Sequence, residues 1–459
     1  MTRRAATALA FAALAGCTME PHYHQPALPV PQSWPAGDAY LKQSEAALPA
    51  YGYRDVFPDP RLLAILNQAL ANNQDVAIAV ANIAAARAQY RIQRAELLPE
   101  LDASASYRRS GGDGQTDSQQ VTADLSVSGY EIDLFGRIRS LTGAARDRYL
   151  ASEAAARATR LTLVADVADA WLAYAADSSL LAIARQTAST ASESVRLTRR
   201  RLDGGIAPRS DLRQAEIVLR TAEADVASQT NSVAQDLNAL QLLAGGPIDP
   251  ANLSSSIEDA GSHLREVPAG LDSSILLRRP DILQAEWQLR ATNAEIGAAR
   301  AALFPKITLT GLLGLAAPGL GALFSGGSFV WQAGANATYP IFRAGAGKAN
   351  VKLTEAQRDA ALGQYRKAIE TAYRDVADAL ARRGTIVPQL TAVTAGREAA
   401  ADNFHLAELR YRGGVTSYLE DLTARQALYS AEKTLTNTRL LRASNLVSLY
   451  RTIGSDPSF

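Results

Sequence analysis

Residues 277–314, LRRPDILQAEWQLRATNAEIGAARAALFPKITLTGLLG, pass from helix to strand without an intervening loop. Pro280 suits a first helical position, and Asp281 complements the positive end of the helix. Ile282, Ala285, Leu289 and Ile296 recur at steps of three and four, and small Ala298, Ala301 and Ala302 continue the stripe. Pro305 ends that pattern. Residues 307–313 then begin a period-two alternation rich in β-branched side chains, as a strand should. The same switch occurs about 206 positions earlier, where Ala95-Glu96-Leu97-Leu98-Pro99 parallels Ala301-Ala302-Leu303-Phe304-Pro305. Residues 101–107 then alternate apolar and polar. Two helices that turn straight into strands set the plan of the molecule.

A chain of 459 residues has room for two or three ordinary domains or one elongated one. Aromatic residues make up only 6% and alanine is abundant, which favours long helices over several compact cores. A formal charge of +1 gives a nucleic-acid partner no support. The only cysteine is Cys17, so disulfides and thiolate metal sites are excluded from the rest of the chain.

The N-terminus reads as a targeting signal. Arg3 and Arg4 precede a short apolar run, residues 5–15, too short to span a bilayer. It ends in Leu14-Ala15-Gly16-Cys17, which resembles a bacterial lipoprotein box. Residues 1–16 are then a signal peptide, and Cys17 is the site of acylation. Thr18 follows where an aspartate would suggest inner-membrane retention, so outer-membrane sorting is expected.

Residues 17–60, rich in proline, read as an acylated tether. Residues 61–97 are a helical region, and 101–107 and 121–130 are strands joined by a polar loop marked by Gly111, Gly112 and Gly114. Residues 137–202 form a proline-free helix with a coiled-coil-like seam, approaching ~100 Å in length. Gly204-Gly205-Ile206 breaks it, and a return helix ends at Gly245-Gly246-Pro247. Residues 248–270 read as a linker. The order then recurs: strands at 307–313 and 329–339, a long helix over 347–410 with a kink expected at Pro388, a Gly413-Gly414-Val415 elbow, and a return helix over 419–453. Residues 61–270 and 271–459 are therefore two repeats of helix, two strands and helical hairpin.

The strands carry the functional argument. Val121, Ala123, Leu125 and Val127 oppose Thr122, Asp124, Ser126 and Ser128; Phe329, Trp331, Ala333 and Ala335 oppose Gln332, Gly334 and Asn336. A soluble sandwich would alternate in the same way. In an acylated export product, such strands with aromatic residues at their ends fit an outer-membrane barrel. Four strands cannot close one, and lipid forbids open edges. Two chains would give eight strands and a filled interior; three give twelve and a pore. The expected fold is an α+β membrane protein: a homotrimeric 12-stranded β-barrel, four strands per chain, continued by an α-helical coiled-coil barrel.

The chain resembles the outer membrane factor family, the TolC/OprM-like exit ducts of tripartite efflux pumps and type I secretion systems. The resemblance covers essentially the whole mature chain. Arg278-Arg279-Pro280-Asp281, with Ala285-Glu286, Asn293-Ala294, Ile296-Gly297 and Phe304-Pro305, matches the lipoprotein, OprM-like (NodT-type) branch. Residues 130–137, YEIDLFGR, match its strand-to-helix junction, and Tyr339-Pro340-Ile341-Phe342 with Gly345 the second one. Tyr411, Gly413-Gly414-Val415 and Tyr418-Leu419 match the second elbow. Members like OprM often carry an aspartate where this chain has Thr416, so closing contacts must come from elsewhere or the tip is looser.

The resemblance implies a passive duct, not an enzyme, with no cofactor beyond its acyl chains. Its partners would be outer-membrane lipid, a periplasmic adaptor and an inner-membrane pump of the RND type that supplies energy and selects the cargo, small molecules such as drugs or toxic compounds. A type I secretion duct, a structural coiled-coil envelope lipoprotein and a cell-wall enzyme are the alternatives. Both elbows should lie at the periplasmic tip, where Gly204, Gly205, Ile206, Gly413, Gly414 and Val415 would face the adaptor. Arg201, Asp203, Arg209, Asp211, Arg412, Thr416, Tyr418 and Glu420 are the candidate gate.

Overall fold

The computed structural model describes residues 18–31, 33–35, 37, 39–40, 52–265, 273–454 and 456–459. Cys17 and residues 1–16, the expected signal peptide, lie outside them. The described chain runs α1 (Tyr53–Val56), α2 (Pro60–Asn72), α3 (Gln74–Ala95), β1 (Asp102–Gly112), β2 (Gln115–Ile132), α4 (Arg137–Asp203), α5 (Arg209–Ala244), α6 (Ile257–Ser262), α7 (Pro280–Ala301), β3 (Lys306–Ala317), β4 (Phe329–Thr338), α8 (Ala346–Arg412) and α9 (Tyr418–Ile453). Two compact units result, each drawn from both halves of the sequence. Among the described residues, one comprises 18–27, 81–154 and 283–367, and the other takes in the rest.

The first unit holds a single antiparallel sheet in the order β1-β2-β3-β4. Its register places Ala103, Ala105 and Tyr107 on the face of Leu125, Ala123 and Val121, and these on the face of Leu313, Leu315 and Ala317. Phe329 and Trp331 extend that face across β4. The opposite face carries a polar ladder. Ser104 Oγ donates to Asp124 Oδ2 at 2.9 Å, and the hydroxyls of Ser106 and Thr122 pair at 2.8 Å. The two faces therefore sort as the alternation requires.

The sheet adds a device that alternation alone does not reveal. The β2–β3 register shifts between Val127 and Tyr130, where β2 carries one extra residue. Gly129 sits there with φ 67°, a conformation that favours glycine, and its N–H donates to Thr310 Oγ1 at 3.4 Å. Before the bulge odd-numbered residues occupy the apolar face; after it Tyr130 and Ile132 do, and Glu131 turns to the other side.

β1 and β2 also run further than expected. Gly111 and Gly112 belong to β1, and the reversal is confined to Asp113 and Gly114, the latter at φ 85°. Gln115, Ser118, Gln119 and Gln120 of β2 pair with β1, and no residue of 115–120 has a β3 partner. Val121 keeps its place on the apolar face but is covered there by Leu323 of the β3–β4 connection.

In the second unit, Leu62, Ile65 and Leu66 of α2 pack against Val164, Ala168, Trp171 and Ala175 of α4 and Leu240 of α5. Trp171 is fully buried and its indole N–H donates to the Asn252 carbonyl at 2.9 Å. The expected single helix over 61–97 is two. Asn73 separates them: its Oδ1 accepts from Asp75 N at 2.8 Å as the cap of α3, while its amide donates to Leu243 O at 3.0 Å. The expected linker at 248–270 contains α6, whose Ile257 and Ala260 join the same core. Pro388 lies inside α8.

One polar pair strains this unit. The Asp236 carboxyl on α5 is pushed up to about 6, first by burial and then by the charge of Asp177 and its hydrogen bond. A raised carboxyl pKa stabilises the fold below the ordinary value of about 4, and that contribution is lost as pH rises through about 6. Asp236→Asn is therefore expected to raise the melting temperature of the detergent-solubilised protein at pH 7.5. The difference from the parent should shrink by pH 4.5. A gain independent of pH would refute the raised Asp236 carboxyl pKa as its cause.

Candidate functional site

The chain reversals are built alike. At the first, Gly205 N donates to Leu202 O at 2.9 Å and Ile206 N to Arg201 O at 2.8 Å; at the second, Gly414 N donates to Tyr411 O at 3.1 Å and Val415 N to Arg410 O at 2.9 Å. Gly205 and Gly414 take φ 71° and 74°, the left-handed helix stop that glycine permits. Ile206 and Val415 follow, 79% and 73% exposed. Each elbow thus offers uncovered backbone beside one apolar side chain.

The two reversals are tied together. Arg201 Nη2 donates to the carbonyls of Tyr411 and Arg412 at 3.0 and 3.1 Å, and its guanidinium lies 4.4 Å from the Tyr411 ring centre. Tyr411 and Tyr418 lie 5.4 Å apart and pack with Ala215 and Leu422. Ser194 Oγ donates to Tyr418 Oη at 3.3 Å. Of the expected gate residues, Arg201 and Tyr418 therefore join the hairpins within one chain. Arg412 pairs with Glu408 and Glu420 with Arg410, both at 2.8 Å on the second hairpin. Asp211 accepts from Ser210 Oγ at 3.3 Å, while Asp203 and Arg209 are exposed. Thr416 Oγ1 is buried.

Sequence reasoning missed the buried pair beneath. Asp421 is 1% exposed and accepts from Arg425 Nη2 at 3.2 Å; Arg425 also lies 4.8 Å from the Phe404 ring centre. Burial raises the Asp421 carboxyl above its usual range, opposed by Arg425. The available signal was the spacing of Tyr418, Leu422 and Arg425, which puts Arg425 on the stripe that packs inward.

The remaining motif residues hold the frame. Arg279 bonds Asp281 through Nε and Nη2 at 3.0 and 2.8 Å and donates to the Thr452 carbonyl, pinning the end of α9 to the start of α7. Arg278 is exposed beside it, and Pro280 opens α7. Phe304 stacks on Phe135 at 4.6 Å, just before Pro305 and β3. Glu131 accepts from Arg137 and pairs with Lys306 at 3.0 Å, clamping the feet of β2 and β3. Glu286 and Asn293 hold the N-terminal segment: Tyr23 and Gln25 donate to Glu286, and Asn293 Nδ2 to Pro21 O at 2.8 Å.

A half-apolar four-stranded sheet in a chain where each strand pair is followed by a long helical hairpin has a clear match. The profile of the outer membrane efflux protein family matches residues 65–246 and again 271–455. The chain belongs to the outer membrane efflux protein family. It is 42% identical over 452 residues to the toluene efflux pump outer membrane protein TtgC of Pseudomonas putida, covering 96% of this chain and 93% of the relative. Identity and coverage are the same for the antibiotic efflux pump outer membrane protein ArpC of Pseudomonas putida. The open-state MtrE outer membrane channel of Neisseria gonorrhoeae superposes with a TM-score of 0.85 at 36% identity, covering 95% of this chain and 98% of that one. This efflux protein is an outer-membrane component.

Proposed function

We propose that three copies close their four-stranded sheets into one 12-stranded barrel, and that this homotrimer is the passive exit duct of a tripartite pump. The observation that carries the reading is a sheet with one exposed apolar face and two unpaired edges, β1 and β4. Lipid accepts the face but not the edges, so neighbouring copies must cover them. The helical hairpins continue the duct into the periplasm. The two family matches support a duplicated chain with repeats at 61–270 and 271–459. In this reading a cleaved signal and a tether acylated at Cys17 precede them. A periplasmic adaptor docks at the elbows, and an inner-membrane pump supplies energy and selects cargo. The names of the relatives, toluene and antibiotic pumps, support small toxic molecules as that cargo.

Docking is tested at Gly204 and Gly413, which lack the positive φ of their neighbours and so admit a side chain without backbone strain. Gly413→Trp is expected to leave trimer yield unchanged while abolishing crosslinking to the adaptor and resistance conferred by the pump. A variant that assembles, crosslinks and exports normally would remove the elbows as the docking surface.

A further inference from the structure

The β3–β4 connection, residues 318–328, is unusual for a loop at the outward end of a membrane sheet. From Pro318 to Phe329 it contains no charged residue, whereas the neighbouring β1–β2 hairpin carries Arg108, Arg109, Asp113 and Asp117. It is also folded back. Leu323 is buried against Val121 and Ala317, on the apolar face of the sheet. The fold-back is braced, with Ser328 Oγ donating to the Leu323 and Ser325 carbonyls at 2.6 and 3.1 Å. Leu320 and Phe324 lie four residues apart across this short helical turn and are 72% and 84% exposed. Phe329 and Trp331, which follow in β4, are exposed as well.

We propose that this connection is a lipid-contacting foot: Leu323 clamps it to the sheet, and Leu320 and Phe324 enter the boundary between headgroups and acyl chains of the outer leaflet. The proposal rests on the apolar sheet face being the lipid-facing one. Its physical basis is that of an interfacial segment, an uncharged turn with large apolar residues on one side, backed by a rigid scaffold. A solvent-exposed loop would instead be polar, as the β1–β2 reversal is. The foot would fix the depth of the barrel from the outer side, where the N-terminal acyl chains do not reach.

Cys17 is the only cysteine, so single-site labelling is direct. Phe324→Cys, Leu320→Cys, Leu313→Cys and Asp113→Cys variants of the full chain would be spin-labelled and reconstituted in phosphatidylethanolamine–phosphatidylglycerol vesicles. The labelled parent reports any reaction at Cys17. Collision with oxygen, which partitions into lipid, is compared with collision with nickel ethylenediaminediacetate, which stays in water. The expected result is an oxygen preference at 324 and 320, shifted from Asp113 toward Leu313 and shallower than Leu313. Nickel accessibility at 324 and 320 equal to that at Asp113, with Leu313 still oxygen-accessible, overturns the foot and leaves the barrel standing. Nickel accessibility at Leu313 overturns both.

Discussion

Leu313→Arg is expected to eliminate the trimer from the outer membrane. Leu313 stands mid-strand in β3, exposed on the apolar face and flanked by Leu125 and Trp331. An arginine facing lipid near the midplane costs about 2–4 kcal/mol per chain, hence about 6–12 kcal/mol per trimer. That is comparable to the whole stability of an ordinary domain. Ser126→Arg, one position from Leu125 but on the other face, should leave the trimer intact and change conductance. The measurement is the amount of heat-dissociable trimer in outer-membrane fractions. Equal yields for the two variants would refute the assignment of faces.

The second large effect is expected at Arg201. Its guanidinium bridges the Tyr411 and Arg412 carbonyls and covers the Tyr411 ring, so one side chain links both hairpins. Charge-assisted hydrogen bonds contribute about 1.5–3 kcal/mol when buried, and partial exposure lowers the set here to about 2 kcal/mol. A change of that size shifts a two-state equilibrium about thirtyfold in each chain. Arg201→Ala should therefore raise single-channel conductance in planar bilayers and sensitise cells to large antibiotics normally excluded. Arg201→Lys should fall between, because an ammonium can keep a carbonyl contact but lacks the planar guanidinium that covers the Tyr411 ring. Unchanged conductance in Arg201→Ala would assign the contact to hairpin packing alone.

The helix-to-strand switches were legible because Pro99 and Pro305 punctuate them and alternation starts at once. The elbows were legible because glycine is required where φ turns positive. The bulge at Gly129 was not, since Ser128-Gly129 resets the parity without interrupting the pattern. The full length of β1 and β2 was hidden for a related reason: residues 108–120 are polar on both faces, so no alternation marks them as strand. Asn73 hides a helix break because the apolar pattern continues on both sides. At the tip, charge alone marked candidate gate residues. It could not reveal that Arg201 reaches a carbonyl 210 positions away in the same chain, a pairing that only the fold creates.

The unequal reach of the strands divides the molecule by who can touch it. In the proposed orientation the β1–β2 hairpin stands above the level where β3 ends, and its tip faces the cell's surroundings. Phage, antibodies and surface-bound proteins would meet residues 108–120 first, three times around the rim. None of these residues pairs with β3, the elbows or the clamped strand feet. The segment can therefore change its chemistry under pressure from outside while the conduit and its pump contacts stay as they are. The same independence makes Asp113 the natural place to insert a recognition tag that reports surface display without disturbing transport.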